Sequence, residues 1–306
     1  MRYLVVGYGN IGQKRKAVLG ERCVATVDLF NQLADHRWPR DVSPARYDAA
    51  ILAVPNPVKI ELTEYFLALG KHVLIEKPFI IDGATARRLL RRATQHRAVW
   101  YTSYNFRFEP HVLALKQHLA AGTLGRLYRA RLFYGNGTAG NLGGTWRDSI
   151  LGVLEDMASH LVDLTGYVFD RFGAAFRVWD RQSHELKGPD HCVLATDDHC
   201  IVIEVSFVCW KNAWRIEVTG EHGALVMDGL TKWGASELTL YRRQFPSGAP
   251  DEVRQVVHGP DATWAADLRH FEAQTAAGQT SCENDLWISH ALTRAASATL
   301  GEGENA

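Results

Sequence analysis

The chain has 306 residues, which is long for a single hydrophobic core and sufficient for two domains. Its 34 Lys and Arg residues balance its 34 Asp and Glu residues, so no overall positive field exists to attract nucleic acid or anionic lipid. The five cysteines are scattered and contain no Cys-x-x-Cys pair, which argues against a disulfide framework and a zinc site.

The N-terminus has no charged segment followed by an apolar run and a cleavage site, so no signal peptide is expected. No apolar stretch approaches the length that a membrane-spanning helix requires. We therefore expect a cytoplasmic protein with reduced thiols, no bound metal ion, and neither a membrane nor a nucleic acid as partner.

The first third of the chain alternates nearly continuous apolar runs with helical patterns, as in a parallel sheet that is buried on both faces. The predicted strands are 2–6, 23–28, 48–54, 72–75 and 98–101. The predicted helices are 11–19, 58–69 and 82–96. This alternation predicts an α/β domain over residues 1–102, a doubly wound parallel sheet of the Rossmann type.

The rest of the chain has longer strands joined by tight links, which indicate antiparallel hairpins. The predicted strands are 127–133, 176–180, 191–196, 199–210, 214–218, 224–227 and 237–242. The predicted helices are 109–121, 154–169, 262–277 and 284–300. We expect an α+β domain over residues 103–306, an open and mostly antiparallel sheet flanked by helices, with the C-terminal helices able to pack back on the first domain. The tail 301–306 is expected to be disordered.

The string Gly7-Tyr8-Gly9-Asn10-Ile11-Gly12 follows the first predicted strand and opens the first predicted helix. In a dinucleotide-binding loop the first glycine permits the tight turn, the second admits a pyrophosphate to the backbone, and the third lets the helix pack on the strand. The helix N-terminus then supplies unpaired N–H groups to the phosphates. The alternative is a glycine-rich turn without a ligand.

Asp28 ends the second strand, where a carboxylate can accept hydrogen bonds from the ribose hydroxyls of an adenosine and would repel the 2′-phosphate of NADP. The following Leu29 and Phe30 provide no cation to neutralise that phosphate. The sequence therefore favours NAD over NADP as the cofactor. Alternatively, Asp28 only caps a turn.

Glu76-Lys77-Pro78 follows the fourth strand, and the carboxyl ends of the strands form the ligand crevice of an open α/β sheet. A lysine there can donate a hydrogen bond to a substrate oxygen and stabilise negative charge on it. Taken alone, however, a lysine after a strand is more often ordinary surface charge.

Several further strings give the chain a recognisable likeness over nearly its whole length. They are Val54-Pro55-Asn56, Gly70-Lys71-His72-Val73-Leu74-Ile75-Glu76-Lys77-Pro78, Asn105-Phe106-Arg107-Phe108-Glu109-Pro110, Gly122-Thr123-Leu124-Gly125 and Glu217-Val218-Thr219-Gly220-Glu221-His222-Gly223. With the glycine loop, they resemble the signatures of the Gfo/Idh/MocA family, the oxidoreductases related to glucose-fructose oxidoreductase, inositol dehydrogenase and the rhizopine-catabolism enzymes.

The resemblance implies that Lys77 lies near the nicotinamide and the substrate hydroxyl. It also implies that Val54, Pro55, Asn56 and Glu76 contribute to the cofactor site together with the glycine loop. Relatives use the open sheet of the second domain for assembly, so a homodimer or homotetramer through this sheet is expected.

Asp156 and His160 are four residues apart in the helix predicted over 154–169, so one helix face carries both. An Asp/His pair at this spacing is more often a surface pair. Here the surrounding string, Gly152 to Leu164, resembles the family motif whose Asp and His point at the substrate. The resemblance therefore implies catalytic roles for Asp156 and His160.

These residue types suit the oxidation of a secondary alcohol, which loses an O–H proton and a C–H hydride. Histidine titrates near neutrality, so His160 is the predicted general base. Lys77 would stabilise the developing alkoxide. Asp156 would orient His160 or bind a neighbouring hydroxyl, with Asp163 as the alternative orienting acid or a solvated side chain.

Three more residues are predicted to contact the substrate. Trp146 and Arg147 lie in a loop just before the Asp156 helix, and relatives often have a similar pair there. Arg107 is the third candidate, although a structural ion pair explains it equally well.

The chain departs from the family pattern at four places. The glycines that usually precede the Asp156 helix are reduced to Leu151-Gly152, and Ala158 stands at a usual glycine. Lys59 stands where histidine is common after Pro-Asn, and the segment 29–47 is too short for the helix, strand and helix that relatives place there. It has room for one helix at most, which would leave the adenine side of the cofactor site more open.

The sequence predicts an NAD-dependent dehydrogenase or ketoreductase that acts on a sugar, an amino sugar or a cyclitol. Two alternatives remain: a related reductase of an imine or a non-sugar carbonyl, and a non-catalytic NAD-dependent sensor that kept the fold. The joint presence of Lys77, Asp156 and His160 argues against the sensor.

Overall fold

The computed structural model describes residues 1–298, which form two compact units. The first unit contains Met1–Asn105 and Thr263–Ser289, and the second contains Phe106–Ala262 and the described residues from His290 onward. The first boundary lies three residues beyond the predicted one at 102. Thr263–Ser289, which the sequence interpretation placed in the second domain, groups with the first unit. The predicted helix end at 300 and the predicted disordered tail 301–306 lie outside the described residues.

The secondary structure follows the predicted alternation in the first unit and the predicted run of strands in the second. The strands are β1 Tyr3–Val6, β2 Cys23–Val27, β3 Ala49–Leu52, β4 His72–Glu76, β5 Trp100–Ser103, β6 Leu127–Gly135, β7 Phe176–Gln182, β8 His191–Thr196, β9 Ile201–Ser206, β10 Ala213–Gly220, β11 Gly223–Asp228, β12 Ser236–Arg242 and β13 Asp251–Val257. The α-helices are α1 Asn10–Leu19, α2 Asn56–Ala68, α3 Gly83–His96, α4 Pro110–Ala120, α5 Ser159–Phe169, α6 Thr263–Ala277 and α7 Cys282–Ser297.

The first unit is built on a parallel sheet in the order β2-β1-β3-β4-β5. Alternate residues of each strand enter two separate cores, because successive side chains of a strand point to opposite faces. Leu4 packs with the apolar side chains of α2 and α3 on one face, and Tyr3 packs with Phe271 of α6 on the other. Both faces of the sheet are therefore covered, which explains why its strands are apolar throughout. The predicted Rossmann-type fold of this unit is confirmed.

The segment between β2 and β3 forms neither a further strand nor the helix that its length would admit. It contains one parallel bridge, Val27 with His36, and two single 3-10 turns, Pro39–Asp41 and Pro44–Arg46. Each turn begins at a proline, which suits the first turn of a helix. Pro44 would interrupt a helix continued from Pro39, because it lacks the N–H that a helix interior needs. Relative to the six-stranded order 3-2-1-4-5-6, residues 1–298 contain no outermost strand beside β2.

The second unit contains an eight-stranded sheet in the order β13-β12-β11-β10-β6-β9-β8-β7. Every pairing is antiparallel except that of β6 with β9, so the predicted open, mostly antiparallel sheet is confirmed. Helix α4 packs against β11 and β12, and α5 packs against β9. These two helices also contact each other.

Two elements of the second unit differ from the prediction. Strand β13, Asp251–Val257, was missed because its residues are almost all exposed and mostly charged or polar, so no apolar alternation indicates it. The predicted single helix 154–169 begins instead as a π-helical turn, Leu154–Ala158, before α5. Such π turns are rare and frequently occur at functional sites.

Across the described part of the chain, every helix is too short or too polar to span a lipid bilayer.

Candidate functional site

The glycine loop of the first unit is tightly packed at its two ends and open in its middle. Gly7 has φ +90°, and a Cβ on it would lie 2.2 Å from the carbonyl oxygen of Ala53. A Cβ on Gly12 would lie 1.9 Å from the carbonyl oxygen of Gly7. A Cβ on Gly9, in contrast, would meet nothing within 4 Å. The two outer glycines thus allow close backbone packing, and the middle one leaves space beside the backbone for a ligand.

The N-terminus of α1 has the properties of an anion-binding helix end. Gly9 is the N-cap residue, no side chain caps the helix, and the first turn contains no acidic residue. Its first N–H groups therefore have no side-chain acceptor, and the helix dipole favours a negative group there. Asn10 and Ile11 form the first turn, directly beside the open space at Gly9. This geometry fits the pyrophosphate of a dinucleotide.

Asp28 is bound to the glycine loop. One of its carboxylate oxygens accepts a hydrogen bond from the backbone N–H of Tyr8 at 2.7 Å, and the other accepts from the N–H groups of Phe30 and Asn31 at 2.9 Å each. Asn31 closes the ring, because its Nδ2 donates to the carbonyl of Tyr8 at 2.7 Å. Burial tends to raise the pKa of Asp28, but these backbone donors outweigh it and lower the pKa below its usual value.

Asp28 therefore caps a turn, as the alternative interpretation proposed, and it does so beside the glycine loop. A carboxylate offers about four acceptor positions, and the three backbone donors leave capacity for a hydroxyl group. The two roles are compatible.

The residues after β3 lie directly against the glycine loop. The N–H of Ala53 donates to the carbonyl of Val6 at 2.8 Å, and a Cβ on Gly7 would lie 2.9 Å from the side chain of Val54. Pro55 then caps the N-terminus of α2, whose first residue is Asn56. The structure thus brings Val54, the start of α2 and the glycine loop together at the carboxyl edge of the parallel sheet.

Lys77 follows β4 in a segment held by buried cations. Arg15 of α1, whose side chain is 1% exposed, donates to the carboxylate of Glu76 at 2.6 Å and to that of Asp267 at 2.8 Å. Lys59 of α2 donates to the carbonyl oxygens of Glu76 at 2.6 Å and Pro78 at 2.7 Å. Arg15 also stacks on Trp264, with its guanidinium carbon 4.6 Å from the ring centre.

In the second unit, Asp156 lies in the π turn and pairs with Arg147. The Nε of Arg147 donates to the Asp156 carboxylate at 2.9 Å, and the two side chains are 37% and 17% exposed. The loop that carries Arg147 is anchored by Asp148, which accepts hydrogen bonds from the N–H groups of Lys187 at 2.7 Å and Gly188 at 3.1 Å. The guanidinium of Arg147 also covers the ring of Trp146 at 4.4 Å.

His160 is enclosed by aromatic rings. It is 4% exposed and stacks on Phe106, with ring centres 4.0 Å apart and an interplanar angle of 15°. Tyr134 of β6 packs near both rings, with its ring centre 6.3 Å from that of His160 and 5.8 Å from that of Phe106. Burial, with the negative charge of Asp156, raises the pKa of Tyr134 far above its usual value, so this phenol remains a hydrogen-bond donor.

Arg107 forms an ion pair with Asp163, in which Nε donates to one carboxylate oxygen at 2.7 Å and Nη2 donates to the other. The Asp163 side chain is 1% exposed. For Arg107, the sequence allowed either a substrate contact or a structural ion pair, and the structure contains the ion pair. For Asp163, the prediction of a solvated side chain is wrong. A substrate contact of Arg107 stays a prediction.

Four residues of these clusters were not singled out from the sequence. Arg15 lies among other basic residues of α1 and resembles surface charge, and Tyr134 lies in an ordinary strand pattern. Asn31 falls in the shortened segment, where no element was predicted. Phe106 lies in the family string Asn105 to Pro110, and its position before Arg107 is the signal that could have identified it.

Two family models match the chain, one in each unit. A model described as "Oxidoreductase family, NAD-binding Rossmann fold" matches residues 24–104, and the GFO/IDH/MocA C-terminal domain matches residues 112–226. Together the matched segments cover more than half of the chain. The chain belongs to the GFO/IDH/MocA oxidoreductase family. The resemblance inferred from the motifs is thereby confirmed.

Inositol 2-dehydrogenases are among the relatives of this family member. It is 27% identical to the enzyme of Mycolicibacterium gilvum (strain PYR-GCK) over 290 residues, which are 86% of this chain and 78% of that enzyme. It is 26% identical to the enzyme of Rhizobium meliloti (strain 1021) over 182 residues, which are 55% of this chain and 54% of that enzyme. The chain thus matches about half the length of the second enzyme.

A solved structure of levoglucosan dehydrogenase in complex with NADH and levoglucosan has the same fold as this GFO/IDH/MocA chain. The TM-score is 0.77 at 16% sequence identity, and the alignment covers 97% of each chain. At this identity the likeness concerns the fold alone.

Proposed function

We propose that the protein is an NAD-dependent dehydrogenase of a polyhydroxylated ring compound, a sugar, an amino sugar or a cyclitol, and interconverts one secondary alcohol with its ketone. The observation that carries the proposal is the family match in both units, joined to a glycine loop whose geometry fits a dinucleotide. Relatives named as inositol and levoglucosan dehydrogenases support the substrate class.

NAD is the proposed cofactor. Gly7, Tyr8, Gly9, Asn10, Ile11 and Gly12 would hold its pyrophosphate, Asp28 its adenosine ribose, and Val54, Pro55, Asn56 and Glu76 would line the remainder of the site. The position of Asp28 beside the loop supports NAD over NADP, because a second negative group next to this carboxylate is unfavourable. When bound, NAD supplies the acceptor for the hydride.

Lys77, Asp156 and His160 are the proposed catalytic residues. During oxidation, the Lys77 ammonium donates a hydrogen bond to the reacting oxygen and stabilises its developing negative charge. His160 accepts the hydroxyl proton, while the C–H bond gives up its electron pair as hydride. Asp156 binds a neighbouring hydroxyl or orients His160. Reduction runs through the same groups, with protonated His160 as the acid.

The second unit would carry the substrate contacts and the assembly surface. Trp146, Arg147 and Arg107 are proposed to contact the substrate, and the broad sheet is proposed to form the interface of a homodimer or homotetramer. The pairing of Arg147 with Asp156 supports a role for Arg147 at the site, since it fixes the orientation of a proposed catalytic carboxylate.

The experiment is NADH formation, followed by absorbance, from myo-inositol, scyllo-inositol, D-glucose, D-xylose and levoglucosan, with NAD and NADP compared at equal concentration. We expect turnover of at least one compound and a higher kcat/KM with NAD. NADH binding without turnover of any compound would favour the sensor and overturn the proposal. Preference for NADP would overturn the role given to Asp28.

A further inference from the structure

Two buried cations contact the segment Glu76-Lys77-Pro78 from different helices. Lys59 is 3% exposed, and its ammonium donates to the carbonyl oxygen on each side of Lys77, that of Glu76 and that of Pro78. Arg15 is 1% exposed and donates to the side chain of Glu76. Lys59 therefore holds the backbone on each side of Lys77, and Arg15 holds the side chain of the residue before it. Burying these charges costs free energy unless they are paired and hydrogen-bonded in this way.

The arrangement is more specific than a general core contact. A lysine ammonium has three N–H donors. Lys59 directs two hydrogen bonds to the carbonyl oxygens on either side of Lys77. Hydrogen bonds from a charged donor are roughly twice as strong as neutral ones. Losing them would leave both carbonyls without this donor and would free the segment to shift.

Arg15 connects the same segment to the glycine-loop helix. Its guanidinium bonds Glu76 at the end of β4, the Ser103 hydroxyl at the end of β5 at 2.7 Å, and Asp267 of α6. Because Arg15 belongs to α1, the helix that begins at the glycine loop, any movement of Glu76 must also strain this network. The position of Lys77 is thus tied to the element proposed to hold the dinucleotide phosphates.

We propose that Lys59 is a positioning residue for Lys77, acting with Arg15 as a two-sided clamp on the segment that carries the proposed catalytic ammonium. This inference rests on the proposed function, because it requires Lys77 to act on the substrate. It assigns no contact with substrate to Lys59: the effect passes through the backbone on both sides of Lys77.

The test is a double-mutant cycle of Lys59→Met and Lys77→Ala, with NADH formation from myo-inositol, or from the compound that gives the highest rate in the substrate panel. We expect Lys59→Met to lower kcat at least about tenfold, since a displacement near 1 Å can cost about a hundredfold. The dissociation constant for NADH, from fluorescence titration, should stay within about twofold. In the Lys77→Ala background, Lys59→Met should have no further effect.

Two variants make the cycle decisive. Lys59→Gln keeps an amide donor and should recover part of the lost kcat, and it serves as the test if the methionine variant does not fold. Thr63→Val removes a buried hydrogen bond from the same helix, that of Thr63 to the Lys59 carbonyl, without reaching the lysine segment. Its kcat should stay within about twofold of the wild-type value.

The outcomes separate this inference from the function on which it rests. Unchanged kcat in Lys59→Met, or an equal loss with and without Lys77, would overturn the positioning role and make Lys59 a structural residue only. Full activity of Lys77→Ala would overturn the proposed mechanism itself, whatever Lys59→Met does.

Discussion

The two segments that carry the proposed catalytic residues are held by different forces. Lys77 follows a strand end that is fixed by two buried cations, Arg15 and Lys59. His160 instead is fixed by stacking on Phe106, and the nearby Asp156 by an ion pair with Arg147 that is still partly exposed. Charges in a dry interior are costly to leave unpaired, whereas stacking and exposed ion pairs are worth less.

The two segments should therefore tolerate substitutions differently. Removing a single charged group beside the Lys77 segment should greatly lower the free energy of unfolding. In the segment of Asp156 and His160, a single substitution should reduce stability less, because several ring contacts each contribute part of the stabilisation. Variants of Arg15, Phe106 and Arg147 test this contrast, and a variant of Asp28 tests the proposed cofactor contact.

Arg15→Met should lower the free energy of unfolding by about 3–5 kcal/mol, because it leaves Asp267 and Glu76 without their cation in the interior. Urea unfolding measures the loss. The control is Arg22→Met, which breaks an ion pair with Glu272 of similar length, 2.7 Å, but with side chains 43% and 30% exposed. It should cost about 1 kcal/mol or less. Equal losses in the two variants would remove the distinction between buried and exposed pairs.

Asp28→Ala should weaken NADH binding about tenfold to a hundredfold, as hydrogen bonds to a charged group contribute roughly 1.5–3 kcal/mol. NADPH binding should change less, because the variant also removes a repulsive charge. Fluorescence titration measures both. Asp35→Ala is the control, because Asp35 is likewise a hydrogen-bonded carboxylate near β2 but accepts its bonds from the N–H and the hydroxyl of Thr26 instead of from the glycine loop. A wild-type affinity in Asp28→Ala would contradict the ribose contact.

Phe106→Leu should cost about 2 kcal/mol of stability and lower kcat, since it removes stacking on His160 and edge contacts with Tyr134 and Trp214, each worth about 0.5–1.5 kcal/mol. Unfolding and NADH formation are measured on the same preparation. Phe245→Leu, at a ring that is 63% exposed, should change stability by no more than about 0.5 kcal/mol. If Phe106→Leu has wild-type kcat, stacking does not position His160.

Arg147→Gln should change stability by less than about 1 kcal/mol, because its pair with Asp156 is partly exposed to solvent. Its main effect should be a higher KM for the substrate, measured by initial rates at constant NAD. A stability loss above about 2 kcal/mol with unchanged KM would identify Arg147 as a structural residue instead.

Much of the fold could be predicted because its signals are local. Strands β1 to β5 are short apolar runs with turns at their ends, and the glycine loop has a fixed spacing. Strand β13 carries no such signal, since a solvated edge strand needs no apolar alternation. The π turn at Leu154–Ala158 also has no local pattern and depends on packing around it.

The site was predictable to the extent that its residues lie in motifs. Lys77, Asp156 and His160 stand in strings typical of the family, and Asp28 ends a clear strand. Arg15 and Lys59 could not be placed, because burial of a cation is a property of the folded surroundings and not of the local sequence. The pairing of Arg107 with Asp163 likewise joins residues 56 positions apart.

The most direct test of the mechanism is the rate of the hydride step in a single turnover, followed by NADH absorbance with enzyme in excess of substrate. We predict that Lys77→Ala and His160→Ala each slow this step by about a hundredfold or more, with NADH affinity within about twofold. Lys71→Ala, at a lysine of the same region that lies over Tyr47, should keep the wild-type rate. A wild-type hydride rate in either Lys77→Ala or His160→Ala would contradict the proposed mechanism.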